Sequence, residues 1–262
     1  MKQKTNRGVS AFTRTELVVV IVVLVVLGVL ALVFLLASAL KDVRQKEFTW
    51  ECTRNLQYIG FAFRRWAQDH EGHFPASESV TNGGWKELLT STGQGSNCWK
   101  YYAMMAEDLE TPQILFCPFD ERSRATDFVT NALPRDPAVT YFKDNANVSF
   151  FVSATANDPN SILAGDRNLG RGTKPDANYG FSPTNSKGND VAIPTSGPVS
   201  WSLRMHSAGK PAGAGNILLG DGSVQQTTTA DVNQTWLRIS TPTTNWPAGQ
   251  APTTPSIRLV FP

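Results

Sequence analysis

The chain has 262 residues, of which 41% are hydrophobic, and its 24 basic and 22 acidic side chains leave a formal net charge of +2. Such a balanced charge excludes the strongly basic surface that is typical of nucleic-acid binding. About 190 residues follow the first predicted helix, which is enough for one domain with its own core.

An apolar segment near the N-terminus predicts one membrane-spanning helix. Residues 17–40 carry no charge, and at about 1.5 Å of rise per residue they extend roughly 36 Å, more than a hydrocarbon core of about 30 Å. Four basic side chains precede the segment: Lys2, Lys4, Arg7 and Arg14. By the positive-inside rule, we expect the N-terminus in the cytoplasm and the rest of the chain exported. The alternative is a cleavable secretory signal, because Ala37-Ser38-Ala39 weakly resembles the small-residue cleavage site of such signals.

A carboxylate, Glu16, stands directly before this apolar segment. A charge at the edge of a membrane span is costly, so it usually has a partner or a task, although it can also lie among lipid headgroups. The pentapeptide Phe12-Thr13-Arg14-Thr15-Glu16 follows a short basic leader and precedes a Val/Leu-rich helix. It resembles the class III signal of type IV pilins and type II secretion pseudopilins.

The resemblance implies that a prepilin peptidase cuts between Ala11 and Phe12 and methylates the new amino group of Phe12. Glu16, the fifth mature residue, would then neutralise the terminal amine of Phe12 on a neighbouring subunit inside a bundle of helices. Ala11 stands where the family usually has glycine, and Arg14 and Thr15 stand where aliphatic residues are common.

The helix is predicted to continue beyond the membrane with an amphipathic half. Apolar side chains recur there at alternating spacings of four and three, which places them on one stripe. They are Cys52, Leu56, Ile59, Phe63 and Trp66. Gly72 suits a C-terminal cap and Pro75 follows it, so the helix is expected to end near His70. The chain thus divides into a leader (1–11), a transmembrane half (12–40), an amphipathic half (41–71) and an exported head (72–262).

The head is predicted to consist of short strands, one further helix and long loops. The candidate strands are residues 113–117, 148–153, 161–164, 200–205, 216–220 and 223–227, with a last alternating segment at Ile257, Leu259 and Phe261. Asp221 and Gly222 favour a type I′ hairpin turn, which needs a positive φ at both positions. A helix is expected at 97–110, and residues 166–198 and 227–255 are expected to be surface loops.

Several motifs of the head resemble the large pseudopilin-like families that are abundant in Verrucomicrobia and Planctomycetes. They are Cys52-Thr-Arg-Asn-Leu-Gln-Tyr-Ile-Gly, Ile114-Leu-Phe-Cys-Pro118, Asn147-Val-Ser-Phe-Phe-Val152, Ile162-Leu-Ala-Gly-Asp166-Arg-Asn168 and Gly215-Asn-Ile-Leu-Leu-Gly-Asp-Gly-Ser223. Those families often end with a histidine and, at a fixed interval, an Asp-Gly pair; here His206 precedes Asp221-Gly222 by a longer interval. The resemblance implies an α+β, pilin-like fold, in which one long N-terminal helix packs on a small antiparallel β-sheet head.

Three cysteines lie in the exported part of the chain, where a disulfide can persist. Cys52 lies on the apolar stripe and Cys117 ends a predicted strand that could cross this stripe. Burial as free thiols, a disulfide between Cys52 and Cys117 and a bridge through Cys98 therefore remain open.

Oxygen-rich clusters suggest weak calcium candidates at Asp144, Asn147 and Asp166, but none has the full ligand spacing of a calcium loop, and Asx turns are the simpler interpretation. His70 and His73 flank Gly72 and precede Pro75, which removes the rigid helix that a His-Glu-x-x-His zinc site requires. No cofactor is expected otherwise.

His206 with Asp166 or Asp221 could serve a tethered hydrolase. However, no nucleophile motif such as Gly-x-Ser-x-Gly accompanies His206. We therefore expect that the chain is not an enzyme.

The leading hypothesis is a structural subunit of a type II secretion pseudopilus or a type IV pilus-like filament. Its expected partners are a prepilin peptidase, other pilin-like subunits and a secretion or pilus assembly platform, without nucleic acid. The chain is expected to be a single-pass protein of the inner membrane, with its head in the periplasm, and to enter an extracytoplasmic filament after assembly. The alternative is a single-pass, membrane-anchored binding module with no filament role.

Overall fold

The first helix of the chain runs through the boundary between its two structural units, Met1–Glu47 and Phe48–Pro262. A computed structural model describes residues 13–90, 97–128, 141–154, 158–182, 187–207, 209–244, 246 and 249–262. Ala11 and Phe12, at the expected cleavage position, lie outside the described residues.

Helix α1 extends from Arg14 to Asp69 without interruption and has 56 residues. Its large apolar side chains within residues 17–40 are 44–74% exposed. By length and composition, this half of the helix could cross a membrane. A protein in water would rarely leave so much continuous apolar surface uncovered.

The amphipathic half of α1 forms part of the core of the second unit. The five side chains of the predicted stripe (Cys52, Leu56, Ile59, Phe63 and Trp66) are each at most 4% exposed, which confirms the prediction. The helix also ends where the sequence predicts. Gly72 adopts a φ of +83°, and its N–H donates to the carbonyl oxygen of Ala67 at 2.8 Å.

Ten short strands follow in the described part of the head. In chain order they are β1 (Asp127–Phe128), β2 (Tyr141–Phe142), β3 (Phe150–Ser153), β4 (Ile162–Asp166), β5 (Leu169–Arg171), β6 (Asn189–Pro194), β7 (Val199–Trp201), β8 (Ala214–Leu219), β9 (Val224–Thr228) and β10 (Ser256–Phe261). Six of them form an antiparallel sheet in the order β6-β10-β3-β4-β8-β9. The strands β1 and β2 pair in parallel, and β5 and β7 pair antiparallel.

Both faces of the six-stranded sheet are covered. Phe150 and Val152 of β3 join a buried cluster with the stripe of α1, whereas Phe151 joins a second cluster with Trp201 and Leu237. Neighbouring residues of a strand point to opposite faces, so the two clusters lie on opposite sides of the sheet. The architecture is therefore α+β, with the sheet between α1 and a second layer.

Short helices complete the head. They are α2 (Lys86–Thr90), α3 (Cys98–Met104), α4 (Ala106–Leu109), α5 (Thr229–Asp231) and α6 (Leu237–Ile239), with 3₁₀ turns at Pro75–Ser77, Val80–Asn82, Pro112–Leu115, Asn145–Asn147 and Met205–Ser207 and a π-helical turn at Val232–Trp236. The predicted helix at 97–110 is two helices, because the chain leaves helical geometry at Met105.

Several other local predictions are wrong: the strand expected at 200–205 ends at Trp201, and the surface loop expected at 227–255 contains α5, α6 and the buried Val232 and Leu237. The expected strand at 113–117 begins as a 3₁₀ turn, since Pro112 opens the turn and the Thr111 hydroxyl accepts a hydrogen bond from Gln113 N. Conversely, β5 and β6 lie within residues 166–198, which were expected to be a surface loop.

The turn between β8 and β9 is also not of type I′. Gly222 has a positive φ but Asp221 does not, and Gly222 N donates to the carbonyl oxygen of Leu219. Asp221 Oδ1 accepts a hydrogen bond from Ser223 N at 2.8 Å. This is a type I turn followed by a bulge at Gly222. Within the Asp-Gly pair, only Gly222 adopts the left-handed conformation.

Candidate functional site

The N-terminus of α1 is a capping box. Thr13 N and Thr13 Oγ1 each donate to Glu16 Oε2 at 2.9 Å, while Glu16 N donates back to Thr13 Oγ1 at 3.3 Å. The Thr-x-x-Glu pattern is the sequence signature of such a cap, which was missed in the sequence analysis. Glu16 therefore has a local structural role that does not depend on any neighbouring subunit.

One disulfide joins α1 to the segment that follows the Pro112–Leu115 turn. Cys52 and Cys117 form this bond, with their Cα atoms 5.1 Å apart, and both residues are fully buried. Cys98 is a buried free thiol whose Sγ lies 3.5 Å from the carbonyl oxygen of Phe150. Burial raises the pKa of this thiol, so it stays protonated.

A buried polar cluster lies beside the disulfide. His206 Nε2 is 3.4 Å from Cys117 Sγ and 3.5 Å from Asp166 Oδ2. Asp166 ends β4, and the neighbouring strand β8 supplies Asn216, whose N and Nδ2 donate to Asp166 Oδ2 at 2.6 and 3.0 Å. His206 belongs to the Met205–Ser207 turn. Four separate elements thus bring these side chains together: β4, β8, the Met205–Ser207 turn and the segment that contains Cys117.

The geometry of the cluster does not resemble a catalytic triad. Asp166 and Cys117 both lie beside the same nitrogen of His206, so Asp166 cannot orient the ring by binding the opposite nitrogen. The side chains of His206 and Asp166 are 1% and 0% exposed. A substrate would have to displace other parts of the head to reach them.

Burial neutralises both groups at neutral pH. It raises the pKa of Asp166 to about 8, with the charge of Asp120 acting in the same direction and the hydrogen bonds from Asn216 opposing it. Burial lowers the pKa of His206 to about 4, and Lys210 acts in the same direction. The contact between them is therefore not an ion pair at pH 7.

These shifts predict how stability depends on pH. Between about pH 6.5 and 8, Asp166 holds a proton in the folded state but not in the unfolded state, so we expect the free energy of unfolding to fall, by at most about 1.4 kcal/mol per pH unit. Between about pH 4 and 6.5, His206 has the opposite effect, because only the unfolded chain binds its proton, and the two groups offset each other.

Urea unfolding of the disulfide-bonded protein at a series of pH values measures this effect. Asp166→Asn should remove the fall above pH 6.5, whereas His206→Gln should retain it. A stability that stays level from pH 6.5 to 8 in the unmodified protein would contradict the prediction.

A buried ion pair lies in the same head. Arg167 Nε and Nη2 each donate to one oxygen of Asp120 at 2.7 Å, and the two side chains are 3% and 0% exposed. The guanidinium carbon of Arg167 also lies 3.4 Å from the centre of the Tyr179 ring. Arg167 occurs in a motif quoted above, but its partner is distant in sequence, so its role was missed.

The calcium candidates Asp144 and Asn147 both form hydrogen bonds with backbone groups of the head. Asp144 Oδ1 accepts from Ala146 N at 2.8 Å, which is the expected Asx turn. Asn147 Nδ2 donates to the carbonyl oxygen of Ser123 at 3.1 Å. The third candidate, Asp166, belongs to the cluster with His206.

The Asp221-Gly222 turn contacts α1, since Arg64 Nη1 donates to the carbonyl oxygen of Asp221 at 2.8 Å. Any Cβ at Gly222 would collide with the guanidinium of Arg64. The turn therefore helps to position the β8–β9 hairpin against the helix.

No protein-family model, curated protein or solved structure matches the chain. A long apolar N-terminal helix with a small antiparallel sheet is compatible with a pilin-like fold. A more specific assignment of the chain to one class of pilin-like protein depends on the residues of the leader and on the geometry of α1.

Proposed function

We propose that the chain is a structural subunit of a pilin-like filament, either a type II secretion pseudopilus or a type IV pilus-like fibre. One observation carries this proposal: a single 56-residue helix has an exposed apolar N-terminal half and a C-terminal half built into the core of an α+β head. In such a subunit, the apolar half lies in the inner membrane before assembly and packs against the helices of other subunits afterwards.

The leader fits the same function. A prepilin peptidase would remove residues 1–11 and methylate Phe12, leaving the helix and the exported head intact. Glu16 would then lie at the start of the mature helix, where its carboxylate can pair with the terminal amine of a neighbouring subunit. An assembly platform in the inner membrane would add the subunit to the filament.

Mass spectrometry of the N-terminus of the native protein tests the processing step. We expect a mature chain that begins with methylated Phe12, and an unprocessed chain in cells that lack the prepilin peptidase. Met1 retained in functional protein would contradict the proposal. Cleavage near Ala39 would identify a secretory signal instead.

A groove on the head favours a second candidate, a membrane-tethered binding module. The groove measures about 780 Å³, and the exposed rings of Tyr58 and Phe61 on α1 line it together with Arg65, Asp108 and Glu110. Arg65 bridges the two carboxylates at 3.1 and 2.7 Å, so the groove also offers charged side chains beside the two rings. A tether would use α1 only as an anchor and would tolerate loss of the Glu16 charge.

A further inference from the structure

Side chains that can bind a metal ion lie beside the buried disulfide. The sulfur atoms of Cys52 and Cys117 and a ring nitrogen of His206 all lie within 4.8 Å of one another. Asp166 is not part of this group of three, but its Oδ2 lies 3.5 Å from His206 Nε2, so a fourth possible ligand adjoins the group. All four residues are buried. They come from α1, the segment after the Pro112–Leu115 turn, the Met205–Ser207 turn and β4.

Two of the distances around His206 fit a tetrahedral zinc site. Zinc bonds of about 2.3 Å to sulfur and about 2.0–2.2 Å to nitrogen or oxygen place neighbouring ligand atoms about 3.3–3.8 Å apart. Cys117 Sγ and His206 Nε2 are 3.4 Å apart, and His206 Nε2 and Asp166 Oδ2 are 3.5 Å apart. The two sulfur atoms are closer than this only because they are bonded to each other.

We propose that the reduced form of this chain binds one Zn²⁺ ion through Cys52, Cys117, His206 and Asp166. A dithiol or phosphine reductant supplies two electrons, and two protons convert the disulfide into two thiols. Zinc then displaces the two thiol protons and the carboxyl proton of Asp166, and it binds the two sulfurs as thiolates and Asp166 as a carboxylate. Two thiolates and an imidazole favour zinc over calcium or magnesium, which prefer oxygen ligands.

The surroundings of Asp166 support its place in the site. Asn216 holds Asp166 Oδ2 through two hydrogen bonds, as is usual for a carboxylate that binds metal. Asp166 Oδ1 is buried and has no hydrogen-bond partner within the part of the chain that the structure describes.

The site would link α1 to the Cys117 segment in both the oxidised and the reduced chain. Under oxidising conditions the disulfide joins them, and under reducing conditions zinc takes its place. The head could then keep the same connection in a chain whose disulfide has not yet formed.

Cobalt(II) provides the probe, because its tetrahedral thiolate complexes absorb visible light. The full-length chain in detergent is reduced with a phosphine, freed of the reductant under anaerobic conditions and titrated with Co²⁺. We expect one Co²⁺ per reduced chain, displacement by Zn²⁺, and no binding by the disulfide-bonded chain. Zinc should also raise the melting temperature of the reduced chain only.

Matched variants identify the ligands. Cys98→Ser removes the other buried thiol and should leave binding unchanged. Cys117→Ser should abolish the thiolate absorption. Asp166→Asn removes a ligand and should weaken binding at least about 10-fold, the smallest loss typical of changes one shell further out. Binding that survives His206→Gln and Cys117→Ser, or that disappears in Cys98→Ser, would overturn the proposal.

Folding of the reduced chain needs its own measurement. If reduction alone unfolds the head, addition of Zn²⁺ should restore its near-ultraviolet circular dichroism. A reduced chain that stays folded and shows no Co²⁺ absorption would overturn the proposal, as would an unfolded one that zinc does not rescue.

Discussion

Replacing Glu16 by glutamine should leave the protein inserted in the membrane and processed at its N-terminus, but should abolish its incorporation into filaments. Glutamine can accept the same hydrogen bonds from Thr13 and so retains the capping box. It cannot neutralise the terminal amine of a neighbouring subunit in a low-dielectric bundle. The substitution therefore separates the charge of Glu16 from its capping role. Filament fractions probed by immunoblotting, together with mass spectrometry of the membrane fraction, measure the two outcomes.

Thr13→Ala is the matched control for the cap. It removes the hydroxyl that binds Glu16 and should cost about 0.5–2 kcal/mol of helix stability, while the charge remains. We expect this variant to assemble. Assembly of Glu16→Gln at the wild-type level, combined with failure of Thr13→Ala, would assign Glu16 to the cap alone.

Asp120→Asn is expected to destabilise the head by about 3–5 kcal/mol, because it leaves the buried Arg167 guanidinium without its counter-charge. Asparagine has nearly the same size, so packing changes little. Ser182 and the Tyr179 ring remain in contact with Arg167, but neither carries a negative charge. The loss is a large share of the roughly 5–15 kcal/mol that stabilises an ordinary domain.

The neighbouring residue Glu121 provides the control for Asp120. Its carboxylate pairs with Arg204 at 2.9 Å, but the two side chains are 66% and 42% exposed. Glu121→Gln should therefore change stability by less than about 1 kcal/mol. Chemical denaturation of both variants measures the difference. Equal effects of the two substitutions would show that the burial of the Asp120 pair has no energetic consequence.

The parts of the fold that follow from periodicity could be predicted. The stripe from Cys52 to Trp66 repeats at helical spacing, and Gly72 marks the helix end, so α1 was placed to within a few residues. The strand β6 was missed because its sequence Asn-Asp-Val-Ala-Ile-Pro is short and partly polar. Its position depends on pairing with β10, which is distant in sequence.

The polar cluster beside the disulfide could not be predicted from spacing. Cys117, Asp166 and His206 are far apart in sequence, and only the pairing of β4 with β8 and the turn at His206 bring them together. Likewise, nothing in the sequence indicates that Asp120 partners Arg167. The capping box is different, because Thr13 and Glu16 are three residues apart and this spacing alone predicts the cap.

The position of the disulfide also determines how the head would respond to a pulling force. Tension along α1 reaches Cys52 close to Phe48, where the second unit begins, and passes directly to Cys117 through a covalent bond. The 65-residue separation between the two cysteines would otherwise allow about 210–230 Å of extension once unfolded. With the bond intact, the residues between the two cysteines cannot be extended by the force. A subunit under tension would therefore keep most of the amphipathic half of α1 at its original length.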